Sequence, residues 1–358
     1  MASTIEILLD FIIELNCYFL MYSFLLPMGC EMWPDQIGRR IKLRQLEVLL
    51  VVGECGTMGK AAEQLALTQP VISKTIADLE NTLGVRLLDR GPHGAEPTLY
   101  GRALLKRSVA IFDELRQSVA EIEHLVDPTV GELRVGSADS MLTGFLPVII
   151  NKLCDRHPRL TFRVSQAPSG AALYRELRER NVDLIVGKVA MSATEVDLSH
   201  EILFDEQQFV VTGARSPLVR QRRIKLADLM NERWTLPSDS AGGAQVAEVF
   251  RACGLGVPYT SVYSTSIQLY NALITSGRFL AMLPTSVLWF GPKLSSIKVL
   301  SVRLPTTPWP IGITTLKDRT ISPVAQLFID CAREVAKPLA RATQRSLPRF
   351  WQPAQPGS

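Results

Sequence analysis

The segment TMGKAAEQLALTQPVISKTIADLENTLG, running from Thr57 to Gly84, decides the fold. It reads as two short helices with a tight connection. Ala61, Ala62 and Leu65 share one side of the first helix, and the alanines let another helix approach closely. Ala66-Leu67 makes the turn. Thr68 suits the N-cap of the second helix, because its hydroxyl can accept from an unpaired backbone N–H. Pro70 sits in the first turn, where a missing N–H costs little. At about 100° per residue, Ile72, Ile76, Leu79 and Leu83 form one stripe, and Gln69, Pro70, Ser73, Lys74 and Ala77 lie opposite. Gly84 ends the helix as a C′ residue. Two helices so spaced predict a helix-turn-helix, whose second helix enters the major groove by its N-terminal residues.

The flanks extend this pattern. Leu43 to Val52 is a preceding helix with a broad apolar face. After Gly84, the run Val85 to Arg90, the turn-rich Gly91-Pro92-His93-Gly94 and the run Glu96 to Leu99 predict strand, turn and strand, a wing. A three-helix core with a wing is a winged helix-turn-helix. An isolated alanine-rich pair would fit an ordinary helical hairpin equally well.

From Leu43 to about Leu125 the chain resembles the N-terminal domain of the LysR-type transcriptional regulators. The elements that match are Leu43-Arg44-Gln45-Leu46, the Ala61-Ala62-x-x-Leu65 helix and Thr68-Gln69-Pro70-x-x-Ser73-Lys74, then Leu79-Glu80-x-x-Leu83-Gly84-Val85-x-Leu87-Leu88-x-Arg90 and Pro97-Thr98-x-x-Gly101. Met58-Gly59 and Glu96-Pro97 depart from the usual pattern without touching the second helix. The resemblance implies that Gln69, Pro70, Ser73 and Lys74 face double-stranded DNA and that Arg90 holds a phosphate beside the wing. Thr57, Lys60, Thr68 and Thr98 complete the expected DNA-binding set.

The chemistry of these side chains leaves choices open. Lys74 can donate to guanine or to a phosphate, and Gln69 can pair with adenine. Pro70 can meet a thymine methyl or serve only as a first-turn proline. Arg90 can take a phosphate or pair with Asp89 or Glu80. The chain carries 39 basic and 35 acidic residues, a net charge of +4. Arg39 to Arg107 holds 11 basic and 7 acidic residues, so the whole excess lies in this segment. That suits modest phosphate neutralisation and does not by itself identify a nucleic-acid binder.

From Leu99 to about Val126, Leu104, Ser108, Ile111, Leu115, Val119, Ile122 and Val126 recur at steps of three or four. This predicts a helix of about 40 Å at 1.5 Å per residue, with a coiled-coil-like seam. The seam would be buried by a second copy or against the chain's own winged domain. The resemblance implies the former, a dimer and then a tetramer, with two recognition helices reading a pseudo-palindromic site.

Beyond the break at Asp127-Pro128-Thr129-Val130-Gly131, strands and helices alternate. The alternation predicts parallel strands with covering helices, in two α/β halves joined by crossing strands. LysR-type effector domains share this periplasmic-binding-protein architecture, with small molecules taken up at the carboxyl ends of strands, in the cleft. The expected fold class is α/β multidomain. Its parts are an apolar extension at 1–38, a winged helix-turn-helix DNA-binding domain at 39–98 and a linker and dimerisation helix at 99–127. An effector-binding domain follows at 128–343, with subdomains 131–204 plus 302–343 and 205–301, then a tail at 344–358.

The effector candidates sit where helices begin. Ser137-Ala138-Asp139-Ser140-Met141 follows the first strand of the effector domain, and Ser169 follows the second. Thr235, Thr265 and Ser266 would close the cleft from the other half. Backbone N–H groups at a helix start can hold a carboxylate or phosphate. Each hydroxyl could instead be only a cap. Asp139 would repel an acidic effector there, unless it points outward or receives a sugar hydroxyl. The run Thr314-Thr315-Leu316-Lys317-Asp318-Arg319 is similar to regulators of sugar or aromatic-acid catabolism, so the expected effector is a sugar or an aromatic acid.

No catalytic constellation is expected. His93, His124, His157 and His200 form no ligand or triad spacing. Cys17, Cys30, Cys55, Cys154, Cys253 and Cys331 include no Cys-x-x-Cys pair, so neither zinc nor a cofactor is expected, and a reducing cytoplasm is. A solute-binding or enzymatic α/β protein with an unrelated helical extension is the competing reading. Residues 1–38 are strongly apolar, yet Asp10 and Glu14 interrupt them and no basic residue precedes them, which suits neither a signal peptide nor a membrane span. The expectation is an upstream start, with Met28 or Met32 nearer the natural one.

Overall fold

The computed structural model describes residues 40–91, 94–167, 169–189, 195–221, 223–237, 243–291, 296–305 and 308–342. The apolar extension, the tail, the wing tip at Pro92 and His93, and Pro168 lie outside the described residues. Two compact units, divided between Val109 and Ala110, make up the chain.

The first unit contains helices α1 (Leu43–Cys55), α2 (Met58–Gln64) and α3 (Gln69–Leu83), strands β1 (Leu88–Gly91) and β2 (Gly94–Pro97), and the start of α4 (Leu99–Val126). Its core is the apolar stripes meeting: Leu46, Val48, Leu49 and Val52 from α1, Ala61 and Ala62 from α2, and Ile72, Ile76 and Leu79 from α3 are all buried. The turn between α2 and α3 places Ala66 at φ +51°, a left-handed conformation that an L-residue enters at a cost of about 1–2 kcal/mol. Thr68 stands at the N-cap of α3, but its hydroxyl makes no cap bond. Pro70 removes one candidate donor, and the N–H of Val71 is taken by the Thr68 carbonyl at 3.0 Å. The hydroxyl that does cap is that of Thr57, which accepts from the Lys60 N–H at 3.3 Å.

β1 and β2 form an antiparallel wing, with Leu88 opposite Pro97 and Gly91 opposite Gly94. Glu80 of α3 ties the wing down: Oε1 accepts from the Leu87 and Leu88 N–H groups at 2.8 and 3.2 Å. Gly101 explains the end of the family pattern. A Cβ there would lie 2.0 Å from the Leu87 carbonyl oxygen.

The second unit holds two five-stranded sheets. The first has the order β4-β3-β5-β12-β6, with β3 (Val130–Ser137), β4 (Arg159–Gln166), β5 (Leu184–Lys188), β6 (Leu198–Glu206) and β12 (Trp309–Leu316). The second is β11-β7-β10-β8-β9, with β7 (Gln208–Gly213), β8 (Trp234–Leu236), β9 (Thr260–Tyr263), β10 (Leu280–Pro284) and β11 (Ile297–Val299). The expectation of parallel strands is met in part. β3 runs parallel to β4 and β5, but β12 is antiparallel to β5 and β6. The reason is the crossover: β6 leaves the first half and β12 returns to it, so the two run in opposite directions. Strand β6 itself has no counterpart in the sequence reading.

The covering helices are α5 (Asp139–Thr143), α6 (Phe145–Arg156), α7 (Gly170–Arg178), α8 (Gly243–Ala252), α9 (Ile267–Thr275), α10 (Thr285–Phe290) and α11 (Pro323–Ala342). In the first half Phe145, Ile149, Leu133, Val186 and Phe328 centre one core. In the second, Trp234 and Phe250 meet edge-on at 5.4 Å in another. Where the chain crosses over at Gln207, its N–H and carbonyl both bond to Thr285, at 3.3 and 2.9 Å.

Candidate DNA interface and effector cleft

Around the start of α3, Thr68, Gln69, Pro70 and Lys74 are exposed, and Lys60 is exposed on α2. Gln69, Pro70 and Lys74 lie on the side of α3 away from the buried Ile72, Ile76 and Leu79. Ser73 is half-buried and accepts from Arg90 Nη1 at 3.0 Å. Arg90 Nη2 pairs with Glu80 at 3.2 Å, one of the alternatives open in the sequence, and the arginine side chain stays 41% exposed. Thr57 is committed to capping α2. Thr98 is committed too: its hydroxyl donates to the Arg86 carbonyl at 2.8 Å and accepts from the Gly101 N–H at 3.0 Å. Thr57, Ser73, Glu80 and Thr98 thus hold the frame by hydrogen bonds, while Arg90 both pairs with Glu80 and stays exposed.

The seam of α4 divides likewise. Ser108 is fully buried, its hydroxyl turned back to the Leu104 carbonyl at 2.9 Å. Ile111, Leu115, Val119, Ile122 and Val126 remain exposed along one line.

The effector candidates lie at the carboxyl ends of neighbouring strands. Ser137 ends β3, fully buried, with its hydroxyl donating to the Val186 carbonyl at 2.7 Å. Ala138 caps α5 through its carbonyl, which accepts from Met141 and Leu142. Met141 turns its side chain into the first-half core. Ser140 is half-buried. Ser169 caps α7 by accepting from the Ala172 N–H at 3.2 Å. Across the cleft, Thr235 is fully buried and its hydroxyl finds no partner among the described residues. Thr265 is exposed, and Ser266 caps α9 by accepting from the Leu269 N–H at 3.3 Å.

Asp139 makes one of the contacts between the two halves. Asp139 Oδ2 accepts from the Ile267 N–H at the start of α9 at 2.5 Å. Its Oδ1 accepts from Gln166 Nε2 at 3.3 Å. The bond sets the carboxyl end of β3 beside the start of α9, which follows β9.

Three acidic groups missed by the sequence reading shape the same unit. Burial would raise the Asp113 carboxyl, but the Arg180 hydrogen bond and the Arg319 and Arg116 charges outweigh it and hold the group at about 2. Asp113 bonds to Arg116, Arg180 and Arg319 at 2.8–2.9 Å, and Asp183 joins Arg116, Arg134 and Arg319 at 2.5–3.0 Å. Arg319, read in the sequence as part of a loose family likeness, is here a buried bridge. Glu206 is buried at the crossover without an ion pair among the described residues. Burial pushes its carboxyl up to about 7, only partly opposed by its bonds to Ser286, whose N–H it accepts at 3.2 Å.

The model of the LysR substrate binding domain matches residues 127–337, and that of the bacterial regulatory helix-turn-helix proteins of the lysR family matches 43–102. The chain belongs to the LysR family. It is a LysR-type transcriptional regulator with a DNA-binding helix-turn-helix and a substrate-binding domain, and the family is one of regulators, not enzymes. It is 27% identical over 300 residues to the uncharacterized HTH-type transcriptional regulator YdcI of Escherichia coli K12, covering 83% of this chain and 96% of that one. It is 29% identical over 285 residues to YybE of Bacillus subtilis 168, an uncharacterized regulator of the same type, covering 79% and 95%. Among solved structures, a full-length OxyR variant from Pseudomonas aeruginosa has the same fold, at a TM-score of 0.62 and 20% identity over 86% of this chain and 99% of that one. CbnR, a LysR family transcriptional regulator, gives 0.57 at 21% identity over 83% and 99%. Among the described residues no cluster of three or more His, Cys, Asp or Glu could hold a metal ion, and no helix is long and apolar enough to cross a membrane.

Proposed function

We propose that this LysR-type regulator reads a specific operator with the N-terminal face of α3 and answers a small molecule bound between the two halves of its second unit. The observation that carries the operator reading is the exposed set Gln69, Pro70 and Lys74, on the side of α3 its core leaves open. Lysine and glutamine at the start of a recognition helix can donate to base edges or phosphates. Two copies joined along Ile111, Leu115, Val119, Ile122 and Val126 of α4 would present two such helices to a pseudo-palindromic site, and two dimers would form the tetramer. Work in the cytoplasm follows from a DNA partner. The effector reading is supported by the convergence of Ser140, Ser169 and Ser266 on helix starts around the Asp139–Ile267 bond. Control of sugar or aromatic-acid catabolism is the finer proposal.

An electrophoretic shift on the chain's own upstream intergenic DNA tests the first part. Wild type should give a salt-sensitive specific shift. Lys74→Ala should weaken it by about 10–100-fold, the equivalent of one lost base contact, with the oligomer intact in sedimentation. An unchanged shift would move DNA recognition away from α3. Thermal-shift screening of the full chain against sugars and aromatic acids tests the second part.

A further inference from the structure

The cleft already contains a carboxylate. Asp139 starts α5 in the first half, and its Oδ2 sits 2.5 Å from the Ile267 N–H, the first residue of α9 in the second half. A helix start offers several unpaired N–H groups and a partial positive charge, which makes it the natural seat for an acidic ligand. In α9 two of these N–H groups are taken from inside the molecule. Ser266 takes the Leu269 N–H and Asp139 takes that of Ile267. The next turn is committed as well: the Tyr270 hydroxyl donates to the Ser264 carbonyl at 2.5 Å and holds the loop before α9. Burial, then the negative charge of Asp139, push that phenol far above its ordinary range, so it stays a donor. Gln166, at the end of β4, steadies the other oxygen of Asp139.

We infer that Asp139 is the specificity-determining residue of the cleft: it occupies the start of α9, shuts out carboxylate effectors, and selects neutral, hydroxyl-bearing ones. This rests on the effector-cleft reading above. An incoming carboxylate must displace a charge-assisted hydrogen bond and then lie beside the anion it displaced. A polyhydroxylated neutral molecule meets no such conflict, because its hydroxyls donate to the same oxygens. Of the two effector classes expected from the sequence, the geometry favours sugars over aromatic acids. The bond also joins the two halves, so an effector that draws Asp139 away from Ile267 changes how they are held.

The test uses the full-length protein as wild type, Asp139→Asn and Asp139→Ala, with benzoate as the carboxylate probe. Hydrogen exchange at the Ile267 amide should rise at least tenfold in Asp139→Ala, and less in Asp139→Asn, which keeps an acceptor of the same shape. In calorimetry, benzoate should bind Asp139→Ala at least tenfold more tightly than wild type. Equal exchange in wild type and Asp139→Ala, or equal response to benzoate including none in either, overturns the inference. Far-UV circular dichroism and the DNA shift confirm that the variants are folded. Sugars that stabilise wild type and Asp139→Ala alike would keep the effector reading while removing Asp139 from it.

Discussion

Glu80 shows how much one side chain can hold. It lies on α3, the helix that carries the DNA-binding candidates, yet both its oxygens are committed to the wing, to two backbone N–H groups and to Arg90. Glu80→Ala would leave two partly buried N–H groups without acceptors. The expected loss is about 1–3 kcal/mol in urea unfolding. Glu80→Gln, which keeps one acceptor oxygen, should lose less. An unchanged unfolding midpoint in Glu80→Ala would mean that the wing is held by something else. Ala66 makes a different point at the same scale: its left-handed turn is invisible to any periodicity, because alanine gives no sign of positive φ.

Among the elements, those with a repeating apolar face were legible. The stripes of α1 and α3 and the length of α4 follow from spacing alone, since a one-sided helix must bury that side. Strand β6 was not legible. Its sequence LSHEILFDE buries Leu198, Phe204 and the acidic Glu206, while Ile202 is exposed, so neither face shows clean alternation. The candidate effector site was legible only as helix starts. The Asp139–Ile267 contact within it spans 128 residues, a distance over which local pattern carries no information. The α4 seam yields a prediction of its own. Ile122 is 62% exposed, so Ile122→Asp should leave the folded chain as stable as before. If a second copy covers the seam, buried charge should weaken association at least tenfold in sedimentation. Wild-type association in this variant would assign the seam another role.

At the scale of the whole molecule, two buried carboxyl groups set opposite responses to pH. Asp113 is held at about 2, below its ordinary 3.8, so its contribution is present above pH 4 and is lost as pH falls towards 2. Asp113→Ala would leave several guanidinium groups around an empty place. The expected loss for the second unit is about 3–5 kcal/mol, read by urea unfolding at pH 7. A loss under 1 kcal/mol would show that the arginines find other partners. Glu206 behaves inversely. Its carboxyl is raised from 4.5 to about 7, so the folded state holds a proton that the unfolded state releases, and stability falls as pH rises between those values. The fall is on the order of 3 kcal/mol, at about 1.4 kcal/mol per unit. Glu206→Gln should flatten that slope, so that the variant gains on wild type from pH 5 to pH 8. Parallel profiles for the two proteins would sink this assignment.

The bridge around Asp113 has a consequence for synthesis. Arg319, one of its guanidinium partners, leaves the ribosome 206 residues after Asp113. Until then the carboxylate has Arg116, Arg134 and Arg180 but lacks one of its buried guanidinium partners. The winged unit, built from residues up to Val109, needs nothing from that later stretch. A nascent chain can therefore complete the fold of its promoter reader while the unit behind it still awaits an arginine.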